Sequence, residues 1–247
     1  MQLLGSLLKE KFRAVPGGEG GSKAMAHSAR RLLDDARKAI AATEKRIRSH
    51  PYLEALEGRA VEKRKLALFA GQQCHIIESD LRSVALIVSR AESQGARDFL
   101  AGMLQGERAA LTALGAFGQA LGMSPEKLYA AEPLPGAFAY SAYVNWLATY
   151  GTAAEFVGAF LVNLTAWGEN CGRISRALQA GYGLSGQDVA FFDLFASAPP
   201  GFEEQGLSVV EEGLAQGADP VRIRRAARLL QGFELLYWDT MWEAAKG

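Results

Sequence analysis

The 247-residue chain is 49% hydrophobic and 22% charged, the balance of a globular protein with enough apolar material for a sizeable core. Its 27 basic and 27 acidic residues cancel, so no global field draws it to nucleic acid or to an anionic membrane. No run of about 18 apolar residues occurs, so no membrane span is expected.

The opening segment MQLLGSLLKEKFRAV has neither a long apolar run nor a small-residue cleavage site, so it does not read as a signal peptide. Its leucines and Phe12 form a short amphipathic piece. The PGGEGGS stretch at 16–22 reads as a flexible linker. Residues 1–23 are thus an extension, and 24–247 a single helical domain of even texture. Residues 24–48 carry Leu32, Leu33, Ala36, Ala39, Ile40 and Ile47 as the expected buried set. HPYLEALEG at 50–58 predicts a short helix broken at Gly58. Long helices follow over 61–92 and 95–121. Ser124-Pro125 is a cap followed by proline at the first helical position. EPLPGAF at 132–138 reads as a loop. Helices are expected over 139–150, 152–180, 186–197, 202–215 and 219–245, the last opened by Asp219-Pro220. Strand-like alternation is almost absent, so the fold class is all-α. Cys74 and Cys171 lie far apart in apolar periodic segments, which suggests a reduced, cytoplasmic setting.

One carboxylate interrupts an apolar stripe. In AARLLQGFELLYWDTMW, the same-face neighbours of Glu234 are Ala227, Leu230, Tyr237, Trp238 and Met241. An ionised carboxyl there costs several kcal/mol unless paired, so Glu234 is either matched by a core partner or kept for chemistry or ligand binding. Gln73 shares a face with Leu66, Phe69, Ile76 and Ile77, and Asp80 could join it. Asn163 is surrounded by Phe156, Ala159, Ala166, Trp167 and Asn170. Tyr140, Tyr143, Trp146 and Tyr150 form an aromatic ridge on the preceding helix. Each could be ordinary core. Together an acid, amides and aromatics describe a pocket for a flat heteroaromatic ligand.

Other chemistries find little support. The three histidines, His27, His50 and His75, are not paired with one another at helical spacing, and the His75/Glu78 pair has no second set to complete a di-metal site. Both cysteines read as inert core thiols. No glycine-rich phosphate loop is present. The run Arg222, Arg224, Arg225 and Arg228 reads as a solvated face.

The succession HPYLEALEG, FAGQQCHII, GMSPEKLYAAEPLPGAFAYSAYVNWL, EFVGAFLVNLTAWGENCG and FELLYWDTMW resembles the TenA / thiaminase II family across about residues 28–245. The resemblance implies a haem-oxygenase-like helical bundle that hydrolyses the bond between an aminopyrimidine and its leaving group. It also implies a homo-oligomer, dimer or tetramer. By resemblance, the family's catalytic Glu falls on Glu234 and a pocket Tyr on Tyr143. Its Asp falls on Gln73, its nucleophilic Cys on Leu164 beside Asn163, and a later pocket Tyr on Phe195. A leucine cannot add to a pyrimidine ring, and an amide cannot replace the carboxylate as a proton acceptor.

The expectation is therefore a divergent TenA-like protein that acts on or binds an aminopyrimidine or other small nitrogen heterocycle. Glu234 would be the catalytic acid/base. Tyr143, Gln73, Asn163, Trp167 and Tyr237 would bind the ring, without cofactor or metal. A non-catalytic ligand-binding or regulatory protein on the same scaffold is the main alternative, and a metal-dependent oxidase of that fold the third.

Overall fold

The computed structural model describes residues 22–246. The N-terminal extension expected over 1–23 lies outside the described residues, apart from Ser22 and Lys23, which already open the first helix.

Among the described residues there are eleven α-helices, one 3-10 turn and no strand. In chain order they are α1 (Ser22–Ala39), α2 (Ala41–Arg48), α3 (Pro51–Glu57), α4 (Leu66–Arg90), α5 (Gln94–Ala120), α6 (Pro125–Tyr129), α7 (Pro135–Tyr150), α8 (Ala153–Tyr182), α9 (Ala190–Ala196), α10 (Phe202–Ala215) and α11 (Pro220–Lys246). None is long and apolar enough to cross a membrane.

The expected starts are made as their chemistry requires. Ser93, Ser124 and Thr152 each accept a hydrogen bond from a backbone N–H of the first turn of α5, α6 and α8. Asp219 caps α11 by accepting from Val221 N–H at 2.8 Å. Gly183 ends α8 at φ +69°, a left-handed position that favours glycine.

Four boundaries differ from the sequence expectation, the first being that α4, expected from residue 61, starts at Leu66 after a 3-10 turn at Lys63–Lys65. The segment 24–48 is two helices, because the backbone turns out of helical geometry at Ile40. The break sends Leu33 and Ala36 into one apolar cluster and Ile47 into another. Helix α7 begins four residues earlier than expected, with Pro135 in its first turn. Helix α9 begins four residues later. There the Asp188 carboxylate accepts from both the backbone N–H and the hydroxyl of Ser185, a local turn that competes with helix.

The bundle has two apolar clusters. One gathers α1, α10 and the near halves of α7, α8 and α11; the other gathers α3, α9, the start of α4 and the end of α11. Helix α8 runs through both and is buried on nearly every side. The loop before α7 is tied down by Gln72, whose amide donates to the Glu132 carbonyl at 2.9 Å and accepts from Leu134 N–H at 2.7 Å. Gly71 lets this loop approach α4, since a Cβ there would overlap that of Ala131. Gly71→Ala should cost about 1–3 kcal/mol by overpacking, read as a lower denaturation midpoint at unchanged slope.

Candidate functional site

Where the two clusters meet, a cleft with a cavity of about 50 Å³ opens between six helices. Helix α4 supplies Gln73, Ile76, Ile77 and Asp80; α5 supplies Glu107; α7 supplies Tyr140. Helix α8 gives Phe160, Asn163, Leu164 and Trp167, α9 gives Phe195, and α11 gives Glu234 and Tyr237.

Glu234 is 3% exposed and held by two donors. Trp238 Nε1–H donates to its Oε1 at 3.1 Å, and Asn163 Nδ2–H donates to its Oε2 at 2.6 Å. Asn163 is itself fixed. Its second amide proton goes to Gln231 Oε1 at 3.1 Å, and its Oδ1 accepts from the Tyr140 hydroxyl at 2.9 Å. Burial pushes the Glu234 carboxyl up to about 8, outweighing the two hydrogen bonds and the nearby Arg48 charge. Glu44 adds to the rise. The result is a carboxyl that keeps its proton near neutrality, aimed by two fixed donors.

Behind it, Trp238 is wrapped by Tyr52, Phe69, Trp167, Tyr237 and His50, with ring centroids 5.3–6.4 Å away. His50 ties this corner together. Its Nδ1 accepts from Tyr52 N–H at 3.3 Å, and its Nε2 faces Asp239 Oδ1 at 3.1 Å. Accepting at Nδ1 assigns the proton of the neutral ring to Nε2, which then donates to Asp239. Burial lowers the His50 pKa despite Asp239, so the neutral ring is favoured. The His-Pro and Trp-Asp pairs of the sequence thus meet, and the meeting sets the position of the Trp238 donor.

Five of the six expected site residues line the cleft: Glu234, Gln73, Asn163, Trp167 and Tyr237. Tyr143 does not. Its ring stacks on Trp146 at 5.9 Å and Phe233 at 5.1 Å, away from the cleft. The aromatic ridge divides: Trp146 and Tyr150 are exposed, whereas Tyr140 turns inward. The Ala-Tyr pair occurs twice, at 139–140 and 142–143, and three residues correspond to about −60° around a helix, enough to leave the cleft. Leu164 and Phe195 also line it, at the places where the resemblance puts the family's Cys and a Tyr. Both cysteines are buried, and burial raises their thiols, Cys74 to about 11 and Cys171 well above the usual range. The arginine run stays exposed, though Arg222 also pairs with buried Glu155 at 3.1 Å.

Sequence reasoning missed Glu107. It faces the cleft with Asp80, which the periodicity only allowed there. Burial raises both, Glu107 to about 7 and Asp80 well above its usual value, the latter also through the Glu107 charge. Glu107 and Asp98 are the only acids on α5, and the same-face neighbours of Glu107 are Leu100, Met103, Leu104, Ala110, Leu111 and Leu114, so the periodicity that singled out Glu234 was the signal that could have found it. Among the described residues no group of three His, Cys, Asp or Glu side chains is arranged to hold a metal ion.

The sequence pattern of the TENA/THI-4/PQQC family matches residues 37–244. The chain belongs to that family. Among solved structures, a TenA homologue from P. horikoshii OT3 aligns with a TM-score of 0.70 at 18% identity, covering 86% of this chain and 99% of that one. A TenA homologue from Pseudomonas syringae pv. tomato DC3000 gives 0.73 at 12% identity, covering 85% and 92%. A domain of unknown function from Shewanella denitrificans OS217, with a haem-oxygenase-like fold, gives 0.70 at 16%, again covering 85% and 92%. At such identities the likeness speaks to the fold, which is haem-oxygenase-like. A search of curated proteins found no match. Family membership suggests a thiaminase-like or related function, and the cleft holds the Glu234 carboxyl in the fold's interior.

Proposed function

We propose that this TENA/THI-4/PQQC family member binds an aminopyrimidine or similar small nitrogen heterocycle and that Glu234 acts on it as a general acid/base. The observation that carries the reading is the buried Glu234 carboxyl, fixed by Trp238 and Asn163 and held up to about 8 beside an aromatic cleft. A carboxyl titrating near the working pH can donate a proton to a leaving group and take one from water. The Trp167 and Tyr237 rings, 6.1 Å apart and nearly perpendicular, offer one face and one edge to a flat ligand. Gln73 supplies an amide, and Asn163 only the remaining lone pair of its Oδ1, to read the ring edge.

In this reading Asn163 has a second task. It replaces a residue that could not donate, by the resemblance a proline, and it orients the acid. Without a nucleophilic cysteine, C–N hydrolysis would proceed by direct attack of water, with Glu234 managing the protons.

Leu164 and Gln73 favour a second reading, in which the cleft binds its heterocycle without turnover. A thermal-shift panel of aminopyrimidines and thiamine separates these. Binding at a hundredfold excess over Kd should stabilise the protein by about 2.7 kcal/mol, and Glu234→Ala should abolish the effect. Product formation from the ligand that binds, lost in Glu234→Gln, supports hydrolysis. Binding without product supports the second reading, and no shift across the panel would remove the heterocycle from both.

A further inference from the structure

Helix α7 is apolar on every side, yet one side of it is bare. None of its 16 residues is charged, and Ala137, Val144, Leu147 and Ala148 already face the core. A helix of that kind is ordinarily covered all round. Here Phe138, Trp146 and Tyr150 remain outside, Trp146 48% and Tyr150 64% exposed. Helix α11 runs antiparallel beside it, with Gly136 close against Thr240, Tyr143 stacked on Phe233 and Arg222 donating to the Tyr150 carbonyl. It adds exposed Val221 and Leu236. Of the seven large hydrophobic side chains exposed among the described residues, five are on these two helices; the others are Tyr129 and Leu194.

The two ends of this face differ in charge. Past Leu236 stand the exposed acids Glu132, on the loop into α7, and Glu243, which pairs only with Lys246 in its own turn. At the far end Arg225 and Arg228 are exposed, and neither is ion-paired among the described residues. Burial, with Glu155, raises the Tyr143 phenol to about 12 against the opposing charges of Arg228 and Arg225, so both lie near the aromatic stack. At the middle, Ala142 and Gly232 are level with each other beside Trp146, and the space outside Gly232 is open. A surface with acids at one end, bases at the other and a notch beside a bulky ring is complementary to itself after a half-turn. A two-fold axis between Ala142 and Trp146 sets each Trp146 into the notch of the other copy. It also brings Glu132 and Glu243 within reach of the partner's Arg225 and Arg228.

We infer that the α7–α11 face pairs with a second copy of this chain across a two-fold axis, each Trp146 filling the other's Ala142–Gly232 notch. The pairing buries aromatic rings at its centre and leaves charges at its rim, as interfaces of this kind do. It does not depend on what the cleft binds. The same two helices turn Tyr140 and Glu234 inward, so the second copy backs two walls of the cleft.

Analytical ultracentrifugation of the full chain should give the mass of two chains, or of a larger even assembly that Trp146→Glu halves. Trp146→Glu places a charge at the centre of the face and should weaken the pairing at least about thirtyfold. Its helical circular dichroism should be unchanged, because Trp146 is half exposed in a single copy. A second measurement does not rely on that residue. The double variants Arg225→Glu/Arg228→Glu and Glu132→Arg/Glu243→Arg should each pair poorly alone, since like charges then meet. Mixed in equal amounts they should recover the wild-type association, because every contact is again opposite in sign. A wild-type chain that stays monomeric at its highest soluble concentration would overturn the inference and leave the face to residues 1–21 or to a foreign protein. Undiminished pairing in Trp146→Glu would place the interface elsewhere and overturn it too. Two charge variants that dissociate but do not recombine would overturn the two-fold arrangement.

Discussion

Glu234→Gln should remove much of the pH dependence of folding stability between pH 5 and 8. In the unfolded chain this carboxyl ionises near 4.5; in the folded protein burial holds it up to about 8. The folded state therefore binds the proton more tightly. Its stability is greatest where the group is protonated in both states, falls as pH rises through the unfolded value, and stops falling above the folded one. From pH 5 to 8 the wild-type loss assigned to this group is roughly 2–4 kcal/mol. Chemical denaturation at both ends of the range, in wild type and variant, measures the difference. Glu107 and Asp80 act in the same sense, so the variant should retain a shallower decline. Parallel profiles for the two proteins would mean that Glu234 ionises normally, and its proposed acid/base role would lose its physical basis. The amide also meets two donors, Trp238 and Asn163, where the carboxylate accepted from both. One contact is lost, so any gain in absolute stability at pH 8 is smaller than the change in slope.

Trp238→Ala should destabilise the fold by roughly 3–5 kcal/mol, among the largest costs of any single truncation. The indole is fully buried among five rings from four helices and one interhelical corner. No neighbour is positioned to fill the space, because each is itself packed in the second apolar cluster or tied, as His50 is, to Asp239. Trp238→Phe separates packing from polarity. It keeps much of the ring volume and loses the N–H that lowers the Glu234 pKa. The midpoint of the Glu234 titration, followed by its carboxyl infrared band, should then move further up. An unchanged midpoint with a large stability loss would assign Trp238 to packing alone.

Glu234 was legible because helical periodicity is a local property. A carboxylate placed on a stripe of Ala227, Leu230, Tyr237, Trp238 and Met241 must be buried wherever the helix goes, and all six are. Gln73 and Asn163 followed by the same logic, and Trp167 and Tyr237 came with them into the cleft. The caps at Ser124 and Asp219 were also local and were placed correctly.

The rest depended on which helices meet. Repeating Ala-Tyr left Tyr140 and Tyr143 equivalent in sequence, and only the approach of α8 and α4 decided that Tyr140 enters the cleft. Glu107 sits on an apolar stripe of Leu100, Met103, Leu104, Leu111 and Leu114, the same local signal that revealed Glu234. Only packing decided that α4 brings Asp80 against the same space. The break at Ile40 follows from two apolar clusters that a straight helix could not serve together. Burial of a stripe is fixed by a period of about 3.6 residues, whereas a partner such as Asn163, 71 residues from Glu234, is fixed by packing between helices. The sequence alone therefore determined the all-α class, the family and the buried acid. The tertiary structure decided what that acid touches and that two more stand beyond it.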